Sequence, residues 1–391
     1  MKRRLSITRN SPKFLALAIA FAVAVPLAAT GQGLFPVPAH RQRSGPADGV
    51  VYAMNNAASG NRVLTFRRAS DGSLRPGSSV STGGYGSGTN LGSQGALALS
   101  DDGHWLLAVN AASNTVSVFL VNGNFLLRTD TQRSGGDHPI SVAENNGIVY
   151  VLNAGSDNVQ GFRLDLFGRL DPIANSIHSL GAPGTGAAEV DFNRAGDLLA
   201  VTEKATNEIL TWAVDGDGTL GPVTINHSLT PTPYGFAFGR RDQMLVSDAN
   251  APGGPTAPVQ GGGVLSSYQL TGSAGASPIT ASLADHQTAP CWVVVTRQGR
   301  YAFTSNTASN NISSYGVADD GQLTLLAPVA TNTGDAPLDL ALDRGDQHLY
   351  ALDGGSSSIG AYGVGADGSL RLIQTQPSAQ LTNAATGLVA R

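Results

Sequence analysis

Seven short segments of this chain repeat one pattern, in which a β-branched or aliphatic residue is followed by two spacers and an aromatic residue. The aromatic residues follow one another at intervals of 53, 43, 50, 56, 47 and 47 residues, an average of about 49. Because aromatic residues make up only 6% of the chain, seven matches in register are not accidental. The seven aromatic residues are Phe66, Phe119, Phe162, Trp212, Tyr268, Tyr315 and Tyr362.

The neighbourhood of each copy predicts a four-stranded β-sheet. An apolar run that ends in a polar residue precedes the pattern, and an Asp-Gly or Asn-Gly hairpin signal follows it in most copies, as at residues 71–72 and 367–368. Each repeat also carries one further short apolar strand. Since a single four-stranded sheet cannot bury both faces, radial stacking of the sheets is the stable solution. The sequence therefore predicts an all-β, seven-bladed β-propeller at residues 49–391, with four antiparallel strands per blade.

The two ends of this region predict how the ring closes. The first repeat lacks an inner strand because the chain enters directly at Val50, whereas residues 386–390 form an unpaired strand after the last repeat. We expect this C-terminal strand to complete the N-terminal blade.

The N-terminus predicts export. Residues 14–27 are apolar apart from Pro26, too short to cross a membrane, and small residues follow. We interpret residues 1–30 as a signal peptide and residues 31–48 as a linker, and we expect a secreted or periplasmic protein that is free of the membrane after cleavage. The five basic residues of the leader are Lys2, Arg3, Arg4, Arg9 and Lys13.

Charge and cysteine content restrict the partners. Removing the five positive charges of the leader takes the formal net charge from −4 to −9, which argues against nucleic-acid binding. Cys291 is the single cysteine, so the fold depends on burial and strand pairing without an internal disulfide. No metal-ligand spacing or cofactor motif is present in the sequence, and we expect no metal and no cofactor.

The run Asn110-Ala111-Ala112-Ser113-Asn114-Thr115-Val116-Ser117-Val118-Phe119 is typical of one group of propellers. Over residues 50–391 the chain resembles the lactonase-family seven-bladed propellers, the group of bacterial 6-phosphogluconolactonases and fungal carboxymuconate-lactonising enzymes. The resemblance implies the propeller fold. Where enzymatic members carry His-Pro-His, this chain has His138, Pro139 and Ile140.

The resemblance also implies two candidate catalytic residues, His138 and Glu203. Glu203 occupies the position of a family Glu that follows a strand, whereas the family's Pro-Arg-His stretch has no counterpart at residues 187–189, so an Arg for developing negative charge is missing. Loops that enter inner strands and loops that follow second strands open on one face, so we expect His138 and Glu203 in adjacent blades of that face. The alternative is that both residues only order their loops.

The same face predicts a ligand pocket. Residues that enter the inner strands would surround it, and the candidates are Gln94, Glu189, Tyr234, Trp292 and Asp339. The two aromatic residues would stack on a sugar or aromatic ligand, or alternatively pack between blades. The long Gly- and Pro-rich connection at residues 251–263 is either a lid over this pocket or plain disorder. We expect Lys204 to point away from Glu203, because side chains alternate along a strand.

Two functions follow from these observations. The first is an exported, monomeric binding protein for a small molecule, a carbohydrate or a cell-surface partner. The second is a lactone hydrolase acting on an unphosphorylated sugar lactone or a related lactone through His138 and Glu203, because phosphorylated sugar lactones are cytoplasmic. The absence of the family's Arg and of the second His of the His-Pro-His motif favours the binding protein.

Overall fold

The computed structural model describes residues 49–391, apart from residue 255 and residues 272–274. Within these residues the chain forms 28 β-strands, β1 to β28, and contains no helix. The predicted signal peptide at 1–30 and the predicted linker at 31–48 lie outside the described residues.

The strands follow one another in groups of four, as the repeat predicts. The first three are β1 (Gly49–Met54), β2 (Arg62–Arg68) and β3 (Leu74–Ser81). The next twelve are β4 (Leu97–Leu99), β5 (Trp105–Asn110), β6 (Thr115–Asn122), β7 (Phe125–Arg133), β8 (Pro139–Asn145), β9 (Ile148–Asn153), β10 (Asn158–Leu164), β11 (Leu170–Ser179), β12 (Ala187–Phe192), β13 (Leu198–Glu203), β14 (Glu208–Ala213) and β15 (Thr224–His227). The remaining thirteen are β16 (Pro233–Phe238), β17 (Gln243–Asp248), β18 (Val264–Leu270), β19 (Ala276–Ala284), β20 (Pro290–Val295), β21 (Tyr301–Asn306), β22 (Asn311–Val317), β23 (Leu323–Asn332), β24 (Pro337–Leu342), β25 (His348–Asp353), β26 (Ser358–Val364), β27 (Leu370–Pro377) and β28 (Thr386–Ala390).

These strands form seven antiparallel sheets of four, which confirms the predicted propeller. Blade 1 has the order β28-β1-β2-β3, and blades 2 to 7 each take four consecutive strands from β4 to β27. The C-terminal strand β28 pairs antiparallel with β1, with Val51 opposite Ala390 and Tyr52 opposite Val389. The predicted closure of the ring by the C-terminal strand is therefore confirmed.

Two features of the repeat explain the blade. All seven aromatic residues of the pattern lie in the third strand of a blade and are at most 2% exposed, so they fill the space between neighbouring sheets. The hairpin glycines have the left-handed backbone that such turns require, as at Gly218 (φ 84°) and Gly368 (φ 80°).

The innermost strand of each blade lines a central channel. These inner strands are β28, β4, β8, β12, β16, β20 and β24, and each contacts the inner strand of the next blade around the ring. We name the end at which the inner strands begin the entry end, and the end at which they finish the exit end. The predicted pocket face is the entry end.

The long connection at residues 251–263 lies at the entry end, between the second and third strands of blade 5. Its described residues are tied to the blade, because Asn250 Nδ2 donates to the Gly262 carbonyl oxygen at 2.9 Å and Thr232 Oγ1 donates to the Ala251 carbonyl oxygen at 3.1 Å. Ala251 is buried. A role as a lid stays a prediction.

Deletion of residues 384–391 should sharply destabilise the protein or make it insoluble. The deletion removes β28 from blade 1, exposes the edge of β1, and removes the buried Leu388, whose burial alone contributes about 2 kcal/mol. Soluble yield and thermal unfolding measure the effect. Asn383→Ala, at an exposed position just before the deleted residues, leaves the strand pairing intact and should behave like the parent chain. Normal folding of the truncated chain would contradict closure by β28.

Candidate functional site

The channel edges of the inner strands present backbone N–H groups that no further strand pairs, so each needs another acceptor. In three blades the acceptor is the side chain two positions after the start of the inner strand, which reaches the inner strand of the next blade. Ser141 Oγ accepts from Val190 N at 3.2 Å, Glu189 Oε2 from Phe236 N at 2.5 Å, and Asp339 Oδ2 from Leu388 N at 3.0 Å. These side chains join neighbouring blades around the channel.

Blade 5 has no such side chain, because Gly235 occupies the equivalent position. Gln94 from blade 2 fills the gap from across the channel: its Oε1 accepts from Val293 N at 3.1 Å, and its Nε2 donates to the carbonyl oxygens of Val293 and Phe236 at 3.0 and 3.3 Å. A Cβ atom at residue 235 would collide with Gln94 Oε1, so the glycine is required by the close approach of this amide. Gln94 therefore joins three blades.

The segment that carries Gln94, residues 92–95, crosses the channel near its entry end, and we name it the crossing segment. Trp292 Nε1 donates to the Ser93 carbonyl oxygen at 3.1 Å, and Ser93 Oγ donates to the Ile140 carbonyl oxygen at 2.8 Å. Trp292 is buried and packs against Tyr234, with ring centroids 5.4 Å apart. The predicted ligand residues Gln94, Tyr234 and Trp292 thus meet one another at the crossing segment.

Lys204 holds the crossing segment in place. The sequence did not predict this role for Lys204. Its Nζ donates to the carbonyl oxygens of Gly92 at 2.5 Å and Ala187 at 3.2 Å, and it lies 4.6 Å from the centre of the Tyr234 ring. Burial lowers the pKa of Lys204 to about 8. Glu203 bonds to Thr206, whereas Lys204 reaches the crossing segment.

His138 occupies a backbone position that recurs around the ring. It precedes Pro139 with a left-handed φ of 56°, and Thr232 and Ala336 precede their own prolines with φ of 66° and 50°. In each case the N–H group donates to an Asn side chain, at 2.9 Å from His138 to Asn114 Oδ1. Burial lowers the pKa of the His138 imidazole. The backbone conformation at this position is therefore common to several blades, and it does not depend on which side chain the residue carries.

Glu203 ends a second strand, where other blades carry Asn110, Asn306 or Asp248. Its Oε2 accepts from Thr206 Oγ1 at 2.5 Å, while Oε1 is buried with no partner among the described residues. Burial raises the pKa of Glu203 to about 7. No hydrogen bond joins His138 to Glu203 in the described part of the chain, and their shared catalytic role stays a prediction.

The exit end contains a cavity of about 830 Å³, which the sequence did not predict. Gln94 and the middle of β16 and β20 line its inner part. The Phe236 ring itself is buried in the core between blades 4 and 5. Glu144 and Asp191 line the same cavity from within their strands. The turns beyond the strand ends add charged side chains: Asp101, Arg194, Arg297, Arg344 and Asp346.

The carboxyl groups within the cavity wall are difficult to ionise. Burial raises the pKa of Asp191 to about 7, with a smaller contribution from the Asp101 carboxylate. Burial also raises the pKa of Glu144, whose Oε1 accepts from Gly147 N at 2.7 Å while Oε2 has no partner among the described residues. Asp191 can therefore hold or release a proton near neutral pH.

Two other features, a metal-binding cluster and a membrane-spanning helix, are not found in the described residues. No group of three or more His, Cys, Asp and Glu side chains is placed there to hold a metal ion. No helix of the described residues is long and apolar enough to cross a membrane.

Fold and channel together define a seven-bladed propeller with a ring of inner strands closed by its own C-terminus. The profile of the family described as "Lactonase, 7-bladed beta-propeller" matches residues 45–184 and 259–385. The chain belongs to this lactonase family of β-propellers.

Solved structures share the fold at low sequence identity. A candidate 6-phosphogluconolactonase of Bacteroides fragilis is 17% identical, with a TM-score of 0.68 over 89% of this chain and 100% of that chain. A candidate 6-phosphogluconolactonase of Bacteroides uniformis is also 17% identical, with a TM-score of 0.69 over 87% of this chain and 99% of that chain. A protein from Lactobacillus plantarum is 14% identical, with a TM-score of 0.68 over 88% of this chain and 99% of that chain. No curated protein sequence matches this chain.

Gln94→Ala should lower the free energy of unfolding by about 2 kcal/mol, because it leaves the Val293 N–H and two carbonyl groups without their partner in a partly buried place. Chemical denaturation measures the change. Gln298→Ala, at an exposed turn of blade 6, is the matched control and should have no effect. Equal stability of the two variants would show that the amide does not join the blades.

The stability of the protein should fall as the pH rises from about 4 to about 8. Burial raises the pKa of Asp339 to about 8, so between those values the folded state keeps a proton that the unfolded state has lost. Asp339→Asn should reduce the stability difference between pH 5 and pH 8 by at least about 1 kcal/mol. Denaturation at both pH values is the measurement, with the exposed Asp171→Asn as the control that should leave the difference unchanged.

Proposed function

We propose that this lactonase-family propeller binds a small polar molecule in the cavity at the exit end of its channel. One observation carries the proposal: the crossing segment occupies the channel near the entry end, whereas the exit end opens into a cavity of about 830 Å³ with charged walls. Small-molecule sites commonly have volumes of roughly 300–1,000 Å³. The polar lining favours a hydrophilic ligand over an apolar one.

The N-terminal sequence supports a location outside the cytoplasm. Its basic start, apolar stretch and small residues are typical of a signal peptide, and we propose a secreted or periplasmic, monomeric protein. A small molecule or a carbohydrate fits the cavity by size. A cell-surface partner would have to insert a small molecule or a carbohydrate group of its own into the cavity.

Lactone hydrolysis at the entry end is the second candidate, and the buried carboxyl of Glu203 is the observation in its favour. Its pKa of about 7, raised by burial, suits proton transfer near neutral pH. Lys204 is the nearest cation along the chain, but both of its hydrogen bonds go to backbone carbonyl oxygens.

A panel of unphosphorylated lactones tests this second candidate. Turnover on the order of 10 per second that is abolished in His138→Ala and in Glu203→Gln would establish the hydrolase. We expect rates equal to those in buffer. Arg300→Glu, at the other end of the molecule, is the control that should not alter any activity found.

Arg297→Glu should abolish ligand binding, and Arg300→Glu should preserve it. Both residues are exposed and lie in one turn of blade 6, but only Arg297 lines the cavity. Thermal shift with a panel of sugars, sugar acids, amino acids and lactones identifies ligands, and calorimetry then compares the two variants. A loss of affinity of at least tenfold is expected in Arg297→Glu alone. Ligands that bind both variants equally, or a panel without any ligand, would overturn the proposal.

A further inference from the structure

The charged groups of the exit cavity are ordered along the channel axis. Glu144 and Asp191 lie within inner strands and are partly buried, whereas Arg194, Arg297 and Arg344 are exposed in the turns. Each of these arginines stands two residues after the end of an inner strand, so the repeat itself places the three guanidinium groups at the rim. The cavity therefore has an acidic interior and a basic rim.

The interior carboxyl groups are not neutralised by the protein. Neither Glu144 nor Asp191 forms a salt bridge among the described residues, and Glu144 Oε2 lacks any hydrogen-bond donor there. By contrast, Asp343 contacts Arg68 at 3.4 Å and His348 at 2.8 Å. A recess of about 260 Å³ that Asp101, Glu144 and Asp191 also line gives a ligand access to the acidic interior.

The rim guanidinium groups retain free donors. Arg194 Nη2 donates to the Arg297 carbonyl oxygen at 3.2 Å, and Arg344 Nη2 donates to the Asp101 carbonyl oxygen at 2.9 Å. These bonds hold the side chains at the mouth and use one nitrogen of each guanidinium. Planar guanidinium groups with free N–H donors match a carboxylate.

We propose that the cavity binds a zwitterion, an amino acid or short peptide-like molecule, with its ammonium group at Glu144 and Asp191 and its carboxylate at the arginine rim. This inference rests on the proposed function of the same cavity and adds the ligand class. The partly exposed residues Ala237, Val294 and Val295 of the cavity wall supply an apolar surface for the part of the ligand between its charges.

The proposal predicts that binding is coupled to proton release. Asp191 faces Asp101 from blade 2, Glu144 from blade 3, Glu189 on its own strand, Arg194, Arg297 and Arg344 at the rim, and Asp343 and Asp346 of blade 7. A bound ammonium group would favour the ionised form of the Asp191 carboxyl. Without a ligand, burial raises the pKa of that carboxyl to about 7, so it keeps its proton below that pH. Affinity should therefore rise between pH 6 and pH 8.

Calorimetry with three matched probes tests the ligand class: ω-amino acids of three to eight carbons, alkylamines of the same lengths, and alkylcarboxylates of the same lengths. We expect the best ω-amino acid to bind at least tenfold more tightly than either analogue of its length. Asp191→Asn should weaken this binding and flatten its pH dependence, and Arg297→Glu should weaken it at every pH. Arg300→Glu and Asp171→Asn are the controls, expected to bind as the parent chain does.

The outcomes separate this inference from the proposed function. Suppose that neutral sugars or carboxylates bind, that Arg297→Glu weakens their binding, and that ω-amino acids do not bind. This result would overturn the zwitterion as the ligand class but would keep the cavity as the binding site. Binding of ω-amino acids without change in Asp191→Asn and Arg297→Glu would overturn both. A complete absence of binding by all probes and by the wider panel would also overturn both.

Discussion

The structure depends on how the channel edges of seven inner strands are satisfied. Stacking the sheets of a propeller buries their faces. The innermost strand of each blade nevertheless presents unpaired N–H groups to the channel. Here the donors are paired sideways, blade to blade, through Ser141, Glu189 and Asp339. Closure of blade 1 by β28 is the condition for this arrangement, because Leu388 of that strand is the donor to Asp339.

The same constraint explains why polar residues near the channel need not mark a ligand site. Glu189 and Asp339 are buried carboxyl groups whose oxygens accept backbone N–H groups, and Gln94 substitutes for a side chain that Gly235 cannot provide. Once these groups and Lys204 have taken up the entry half of the channel, the space that remains is at the exit end. The location of the cavity is thus a consequence of the way the blades are joined.

The sequence predicts the fold well because the repeat is local. Seven aromatic residues, the Asp-Gly turns and the unpaired strand at residues 386–390 define blades, register and closure with information from neighbouring positions. The channel contacts are different, since Gln94 meets Val293 across 199 residues, and no periodic pattern indicates which backbone donor will lack a partner. Arg194, Arg297 and Arg344 share one position of the repeat, and this shared position is a sequence signal for the exit cavity.

The single lysine of the propeller has a practical consequence. Lys204 is the only lysine after residue 13, so within the propeller one ε-amino group alone is available to acylating reagents, and it is held against the crossing segment. Its two hydrogen bonds to backbone carbonyl oxygens should slow its reaction with an amine-reactive reagent, and detachment of the segment should speed that reaction. The rate of acylation at residue 204 therefore reports on the opening of the crossing segment, in the way that amide exchange reports the opening of a strand.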